Sequence, residues 1–505
     1  MAEVMIRRRT LFRHPLAAIG GSLILVSGFL FVMLFLIDVG SSEDNPYLPL
    51  LTFIIVPSVG VVGVLLFLIS VWLQVRAARR RGEKVKFNLA IDPYDPAYVR
   101  NLRRFLLLTA ILIIASAYGG TRAYDATEST KFCGETCHEV MGPQNVTYHN
   151  SAHARVACAK CHIGPGASFW VKYKFDGIRQ LFATALNTFS RPIETPVHNL
   201  RPAQETCEGC HWPRQFYGEK MITHTYYKTD EQNSPWTTKL LMKIGGGNPR
   251  TGEVGGIHWH MLSANNVEYI ATDPKRENIP WVRLVTSEGE TVIYTDPSED
   301  IPDINDPATE IRKFDCMDCH NRPSHAFLPP AKSINLALSS GSISTRLPYI
   351  RQVGLGLLNA DYSTKEEALA AIESGLFEYY KSKFPAFADS AKTSIEQAAD
   401  MLKTIYDASF FPEMRTDYRQ RENNLSHFVN DGCFRCHDGM MQNSEGKAIS
   451  HSCETCHLII AQGPSEKVEE LASDIAGIDF KHPEDIDEMW RDVKCTECHT
   501  PDTGY

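Results

Sequence analysis

Between Ile37 and Leu50 there is no lysine or arginine; the stretch carries only Asp38, Glu43 and Asp44. No small-x-small cleavage site follows the first apolar run, which is too long for a signal h-region, so a removed leader is set aside. No cysteine stands outside a short Cys-to-Cys spacing, so none is left over for a structural disulfide. The part beyond residue 118 offers no basic nucleic-acid-binding features. It holds 38 Lys+Arg against 53 Asp+Glu, which excludes a nucleic-acid partner.

Cationic and apolar residues are concentrated near the start instead. Residues 1–118 carry 13 Lys+Arg against 7 Asp+Glu and hold three long apolar runs. These are Leu16 to Ile37, Leu50 to Leu73, and Phe105 to Tyr118 extended through Thr121. About 20 apolar residues span a bilayer as a helix, and roughly 17 is the lower limit. The first two runs pass easily; the third needs Arg103 and Arg104 to snorkel. Arg7, Arg8, Arg9 and Arg13 precede the first run, and nine cations from Arg76 to Arg104 follow the second. The positive-inside rule places the N-terminus and the 74–104 loop in the cytoplasm, and everything after Tyr118 on the other side. At 505 residues, the chain is too long for one compact domain.

Twelve of the 14 cysteines fall in six Cys-x-x-Cys-His motifs. These are Cys158/Cys161/His162, Cys207/Cys210/His211, Cys316/Cys319/His320, Cys433/Cys436/His437, Cys453/Cys456/His457 and Cys495/Cys498/His499. The last two cysteines lie in Cys133-Gly-Glu-Thr-Cys137-His138, with three intervening residues. Two thiols add to the two vinyl groups of one haem, and the following histidine ligates its iron. Zinc or disulfides do not explain this repetition. The sequence therefore predicts seven covalently bound c-type haems, attached outside the cytoplasm. None of the three apolar runs holds a histidine, so none holds a b-type haem.

Seven of the 18 histidines follow the cysteine pairs, and His14 lies on the cytoplasmic side. Ten remain for distal ligation: His149, His153, His198, His224, His258, His260, His325, His427, His451 and His482. The expected distal ligands are His153, His198, His224, His258, His325, His427, His451 and His482. Of His258 and His260, one ligates and the other supports it. Met141, three residues after His138, is either a ligand of the first haem or a packing residue.

The expected fold is mainly α with sparse regular structure. Three N-terminal transmembrane helices precede a haem-packed multihaem cytochrome c region that contains a small β section. Residues 1–121 form the membrane anchor and 122–215 carry haems one to three. Residues 216–330 hold the β section and end in haem four. Strand-like runs there are Val267–Ala271, Trp281–Val285 and Thr291–Tyr294, the last two joined by a hairpin. Residues 331–426 are haem-free and helical, with Lys365–Gly375 and Ser390–Ala408 the clearest helices. Residues 427–505 carry haems five to seven.

Residues 105–215 resemble the NapC/NirT-type membrane-anchored quinol dehydrogenase cytochromes. The resemblance rests on a membrane helix directly before the first motif, a Met soon after it, Ser151-Ala-His153-Ala-Arg-Val-Ala-Cys158-Ala-Lys-Cys161-His162, and Lys174-Phe-Asp176-Gly-Ile-Arg179. In the family the first motif has two intervening residues and its Met lies two after the His. The whole chain is similar to the inner-membrane multihaem cytochromes of metal-reducing bacteria. The resemblance implies menaquinol as substrate, oxidised at haem one, with Asp176 as proton acceptor and Lys172 or Lys174 at the quinol oxygen. It implies electron transfer to periplasmic c-type cytochromes, towards extracellular acceptors such as metal oxides. The location implied is the bacterial inner membrane, with the haem region periplasmic. Two other readings are a non-catalytic relay in a larger membrane complex and a terminal reductase of nitrite type. The spare histidines and the lack of a Cys-x-x-Cys-Lys motif argue against the second.

Overall fold

A computed structural model describes the chain apart from residues 1–5, 11–14, 41–54, 82–83, 89–95, 137, 164–176, 178, 196–201, 212–217, 246–254, 262–265, 287, 465–469, 474–476 and 501–505. Asp176, Lys172, Lys174, His198, Cys137 and the His138 side chain lie outside the described residues. The chain divides into two compact units. One comprises residues 1–136 and 157–186; the other comprises 137–156 and 187–505.

The first unit is built on helices α1 (Pro15–Gly40), α2 (Val56–Arg79) and α3 (Pro96–Thr127). The second apolar run becomes helix from Val56, with Pro57 in its first turn, where a missing N–H costs nothing. Among the described residues two helices, not the three expected, are long and apolar enough to cross a membrane: α1 and α2. The third run lies inside α3, where Arg104 and Arg122 bracket an uncharged stretch too short to match the other two. Parallel strands β1 (Ile6–Thr10) and β2 (Lys84–Asn88) pair, which brings together the flank before α1 and the flank after α2.

Helices α1 and α2 touch through glycine. A Cβ at Gly20 would sit 2.6 Å from the Gly63 carbonyl oxygen, and one at Gly63 would sit 2.9 Å from that of Gly20. Lipid gives no hydrophobic push between helices, so close backbone approach and interhelical hydrogen bonds must hold them. Ser27 Oγ donates to the Val56 carbonyl, and Thr109 Oγ1 on α3 donates to Ser22 Oγ at 3.1 Å. Large apolar side chains such as Phe29, Leu65, Leu68 and Ile114 are exposed on the outer faces.

The second unit opens with α4 (His138–His149). It contains two four-stranded antiparallel sheets. In the first, β3 (Glu219–Tyr227) pairs with β4 (Pro235–Lys243), β4 with β11 (His457–Pro464), and β11 with β12 (Glu470–Leu471). This sheet joins the 216–330 section to the C-terminal region. In the second, β5 (Asn266–Ile270), β6 (Trp281–Val285), β7 (Thr291–Thr295) and β8 (Arg312–Lys313) run in the order β7-β6-β5-β8. These are the strands expected from the sequence, with β8 added.

The haem-free stretch forms α5 (Pro330–Ser339), α6 (Ile350–Leu358), α7 (Lys365–Lys383) and α8 (Lys392–Ser409). Thr364 caps α7 by accepting from the Glu367 N–H, acidic residues fill its first turn and lysines its last. The helix runs past Gly375, which is not a stop. Its missing Cβ would lie 2.7 Å from Leu357, so the glycine lets α6 close on α7. Ile334, Leu358, Ile372, Leu376 and Leu402 are fully buried in this core.

A buried polar network ties the second sheet to two cysteine motifs. Asp318, 3% exposed, accepts from Tyr269 Oη at 2.5 Å and Arg276 Nη1 at 3.3 Å. Its backbone carbonyl accepts from Arg435 Nη2 at 2.5 Å and Asn424 Nδ2 at 3.0 Å. Burial, then the Asp318 charge, pushes the Tyr269 hydroxyl well above its ordinary pKa, so it stays a proton donor.

Two outcomes follow. Gly20→Leu should lower the thermal stability of the detergent-solubilised protein. Gly28→Leu should not, because a Cβ there meets nothing within 4 Å. Asp318→Ala should cost about 3–5 kcal/mol by leaving buried partners unpaired. Arg491→Ala, in an exposed ion pair, should leave the midpoint of the same denaturant titration close to wild type.

Candidate haem-binding site

Each described motif histidine follows a single helical turn. The His211, His320, His437 and His499 N–H groups donate to the carbonyls of Cys207, Cys316, Cys433 and Cys495, at 2.7 to 3.0 Å. Cys158–His162 forms one helical turn in the first unit. A turn keeps the two thiols and the histidine close together, as attachment to one macrocycle requires. The extra residue of the first motif coincides with a π-helical turn, Phe132–Thr136, a form that absorbs single insertions. No disulfide joins the described cysteines.

In the second unit every one of the five described motif histidines faces a second imidazole. The ring centroids of His153 and His211 are 5.9 Å apart, and those of His258 and His320 are 6.4 Å apart. His260 and His437 are 5.9 Å apart, His427 and His457 6.2 Å, and His482 and His499 6.0 Å. An iron between two opposed imidazoles, with metal–nitrogen bonds of about 2.0 Å, sets the centroids roughly 6 Å apart.

The nitrogen chemistry agrees. Nδ1 of His153, His258 and His260 lies 3.1, 2.9 and 3.2 Å from the carbonyls of Pro323, Ile244 and Ile257, whereas His482 Nδ1 meets both the carbonyl and the N–H of Glu484, at 2.8 and 3.1 Å. His437 Nδ1 lies 2.7 Å from the Ser450 carbonyl. An Nδ1–H donated to a carbonyl selects the tautomer whose Nε2 lone pair is free for a metal. Burial lowers the pKa of His320 and His427, and brings His260 and His457 down to about 4, so these imidazoles are neutral.

The motifs touch in chain order. The thiols of Cys207 and Cys316 are within hydrogen-bonding reach, as are those of Cys433 and Cys456. One 3₁₀ turn, Ile257–Met261, carries both His258 and His260 and so links the fourth and fifth motifs. Cys495 Sγ lies 4.0 Å from His427 Nδ1, linking the sixth and seventh. Cysteines and histidines of these five motifs line a cavity of about 2630 Å³. A pocket for one small ligand measures roughly 300–1,000 Å³, so the space suits several flat cofactors side by side. Paired neutral imidazoles, flanking thiol pairs and this volume fit haem.

Four of the described cysteines are exposed: Cys210, Cys433, Cys453 and Cys498. Cys210 and Cys498 are exposed and are not part of the cavity wall, whereas Cys207 and Cys495, the first cysteines of the same motifs, line it. Their absence from the wall, not their exposure, follows their place in the series. Their motifs are the first and last of the five, so each is flanked by a neighbouring motif on one side only. The second cysteines of the three inner motifs, Cys319, Cys436 and Cys456, have motifs on both sides and all line the cavity. Burial accordingly pushes the Cys319 and Cys436 thiols up to about 12. Cysteine spacing is identical in all five motifs and carries no trace of this difference.

The remaining candidates are placed differently. His224 stacks on Tyr226, with centroids 6.0 Å apart, and is not in any of the five pairs. His451 is exposed and packs against Gly439. His325 Nδ1 lies 3.0 Å from the Gln144 carbonyl of α4, the helix that also bears half-buried Met141. His149 is exposed, with Nδ1 bonded to the Asn145 carbonyl. His260, given a supporting role by sequence, occupies a position equivalent to His258. A histidine two residues from another gives no signal that a 3₁₀ turn will send the rings to different partners.

Residues 98–204 match the N-terminal region of the NapC/NirT cytochrome c family. Over 488 residues the sequence is 38% identical to the cytochrome c-type protein ImcH of Geobacter sulfurreducens, covering 96% of this chain and 95% of that protein. No solved structure matches. A matched cytochrome segment, cysteine turns facing paired imidazoles, and a likeness running the length of the chain make this protein a membrane-type multihaem c cytochrome of the NapC/NirT family.

Proposed function

We propose that the chain is a menaquinol dehydrogenase of the bacterial inner membrane, delivering electrons to periplasmic c-type cytochromes and onward to extracellular acceptors such as metal oxides. The observation that carries this is the run of five paired imidazoles whose motifs touch in chain order, from His211 to His499. Such a run suits conduction better than chemistry at one open iron, which argues against a terminal reductase. Seven haems, one per cysteine pair, supply one-electron acceptor centres when bound.

The chain's residues take the following parts. α1 and α2 cross the bilayer, and α3, whose uncharged 105–121 stretch stands at the lower length limit, makes a third crossing, with the N-terminus and the segment after α2 in the cytoplasm. The β1–β2 pairing supports this by holding those two flanks together, and the arginines around them favour the cytoplasmic face. Quinol oxidation releases two electrons and two protons. Asp176 accepts a proton, and Lys172 or Lys174 holds the quinol oxygen. His138 and the other six motif histidines are proximal ligands. The motif cysteines are the thioether attachments, and Cys210 and Cys498 hold the solvent-facing edges of haems three and seven. His153, His258, His260, His427 and His482 are distal ligands of haems three to seven. His198, His325 and Met141 are the candidates for haems one and two.

Adding a menaquinol analogue anaerobically to the oxidised, purified protein should produce rapid haem reduction, lost in Asp176→Asn. Haems that stay oxidised with quinol but reduce with dithionite would overturn the dehydrogenase reading in favour of a relay. Intact mass should fit seven haems, and a mass fitting six would remove the first motif from the set. His260→Ala should leave that mass otherwise intact, since the thioethers hold the haem, and should convert one low-spin haem to high spin.

A further inference from the structure

Helix α5 lies at the edge of the haem-free helical section, yet it reaches the cavity. Lys332, Asn335, Leu336 and Ser339 on α5, with Arg351 on α6, line its wall. Lys332 is exposed where it borders the cavity, and the protein packed around it still pushes its ammonium below the usual lysine range. No salt bridge or hydrogen bond joins Lys332 to another described residue, although 15 salt bridges among the described residues engage other lysines and arginines. An exposed cation on a cavity wall with no protein counter-charge is open to an anionic group placed in that cavity. Its electrostatic neighbour is His224, which in turn acts on His457. His224 is not needed as the axial partner of His457, because His427 already faces that ring at 6.2 Å.

We propose that Lys332, with His224 beside it, holds the propionate edge of the haem carried by His457, and that its charge raises the reduction potential of that haem. This rests on the haem reading above. Reduction adds an electron, so a nearby cation favours the reduced form. The haem-free helices thereby gain a role: they carry a fixed positive charge to one point along the haem series.

The test is a spectroscopic redox titration of the purified full-length protein. Lys332→Met should keep the wild-type haem mass and low-spin spectrum. At fixed potential the reduced-to-oxidised ratio of one haem should fall by up to about tenfold, which is about 59 mV for one electron. Lys332→Arg should restore the ratio. Lys332→Gln, which keeps hydrogen-bonding capacity without charge, should repeat the fall and serves if the Met variant does not fold. A Gln or Met variant that titrates as wild type overturns the assignment while leaving the haem reading intact. A wild-type protein whose mass lacks haem would overturn that reading itself.

Discussion

The cysteine-motif part of the second unit depends on bringing a second imidazole to each described motif histidine. The motif histidine arrives with its cysteines, within one helical turn, and needs only local backbone. Its partner comes from elsewhere. His153 reaches His211 from the end of the segment after α4, His258 and His260 reach His320 and His437 from a turn before β5, and His427 reaches His457 from ahead of the fifth motif. Each pair brings together histidines separated in the chain, at centroid distances of 5.9 to 6.4 Å. The cavity they surround is the place where a compact protein would have its apolar core.

The protein frame divides its labour around that cavity. The first sheet carries His224 on β3 and begins β11 at His457, so a motif histidine is also a strand residue. The second sheet grips the fourth and fifth motifs through Asp318, whose side chain bonds Tyr269 and Arg276 while its carbonyl bonds Arg435. A fully satisfied polar network of this kind is rigid, because every displacement exposes an unpaired group in a low dielectric. Rigidity suits electron transfer between neighbouring centres. The helices α5 to α8 form a separate apolar core that needs no cofactor.

In the first unit the solvent changes and so do the forces. Helices α1 and α2 approach through Gly20 and Gly63, and their polar contacts are few and interhelical. The apolar side chains that would fill a soluble core point outward instead.

Much of this was legible in the sequence because its cause is local. Cysteine spacing followed by histidine is covalent chemistry within five residues, apolar runs are read against bilayer thickness, and β5, β6 and β7 follow alternation and turn residues. Gly375 misled because a glycine at a helix end and a glycine at a helix crossing look alike until the neighbour, Leu357, is in place. The β3–β4 hairpin and its pairing with β11 were missed because β11 begins at a motif histidine, where cysteine chemistry masks strand propensity. What the sequence determined by itself was the cofactor chemistry, the family and the membrane-facing start. What only the tertiary structure decided was which imidazole faces which, that His260 stands level with His258, that the motifs touch in order, and that Cys210 and Cys498 at the ends of the series stay out of the cavity wall. Those depend on neighbours far apart in the chain, and no local pattern encodes them.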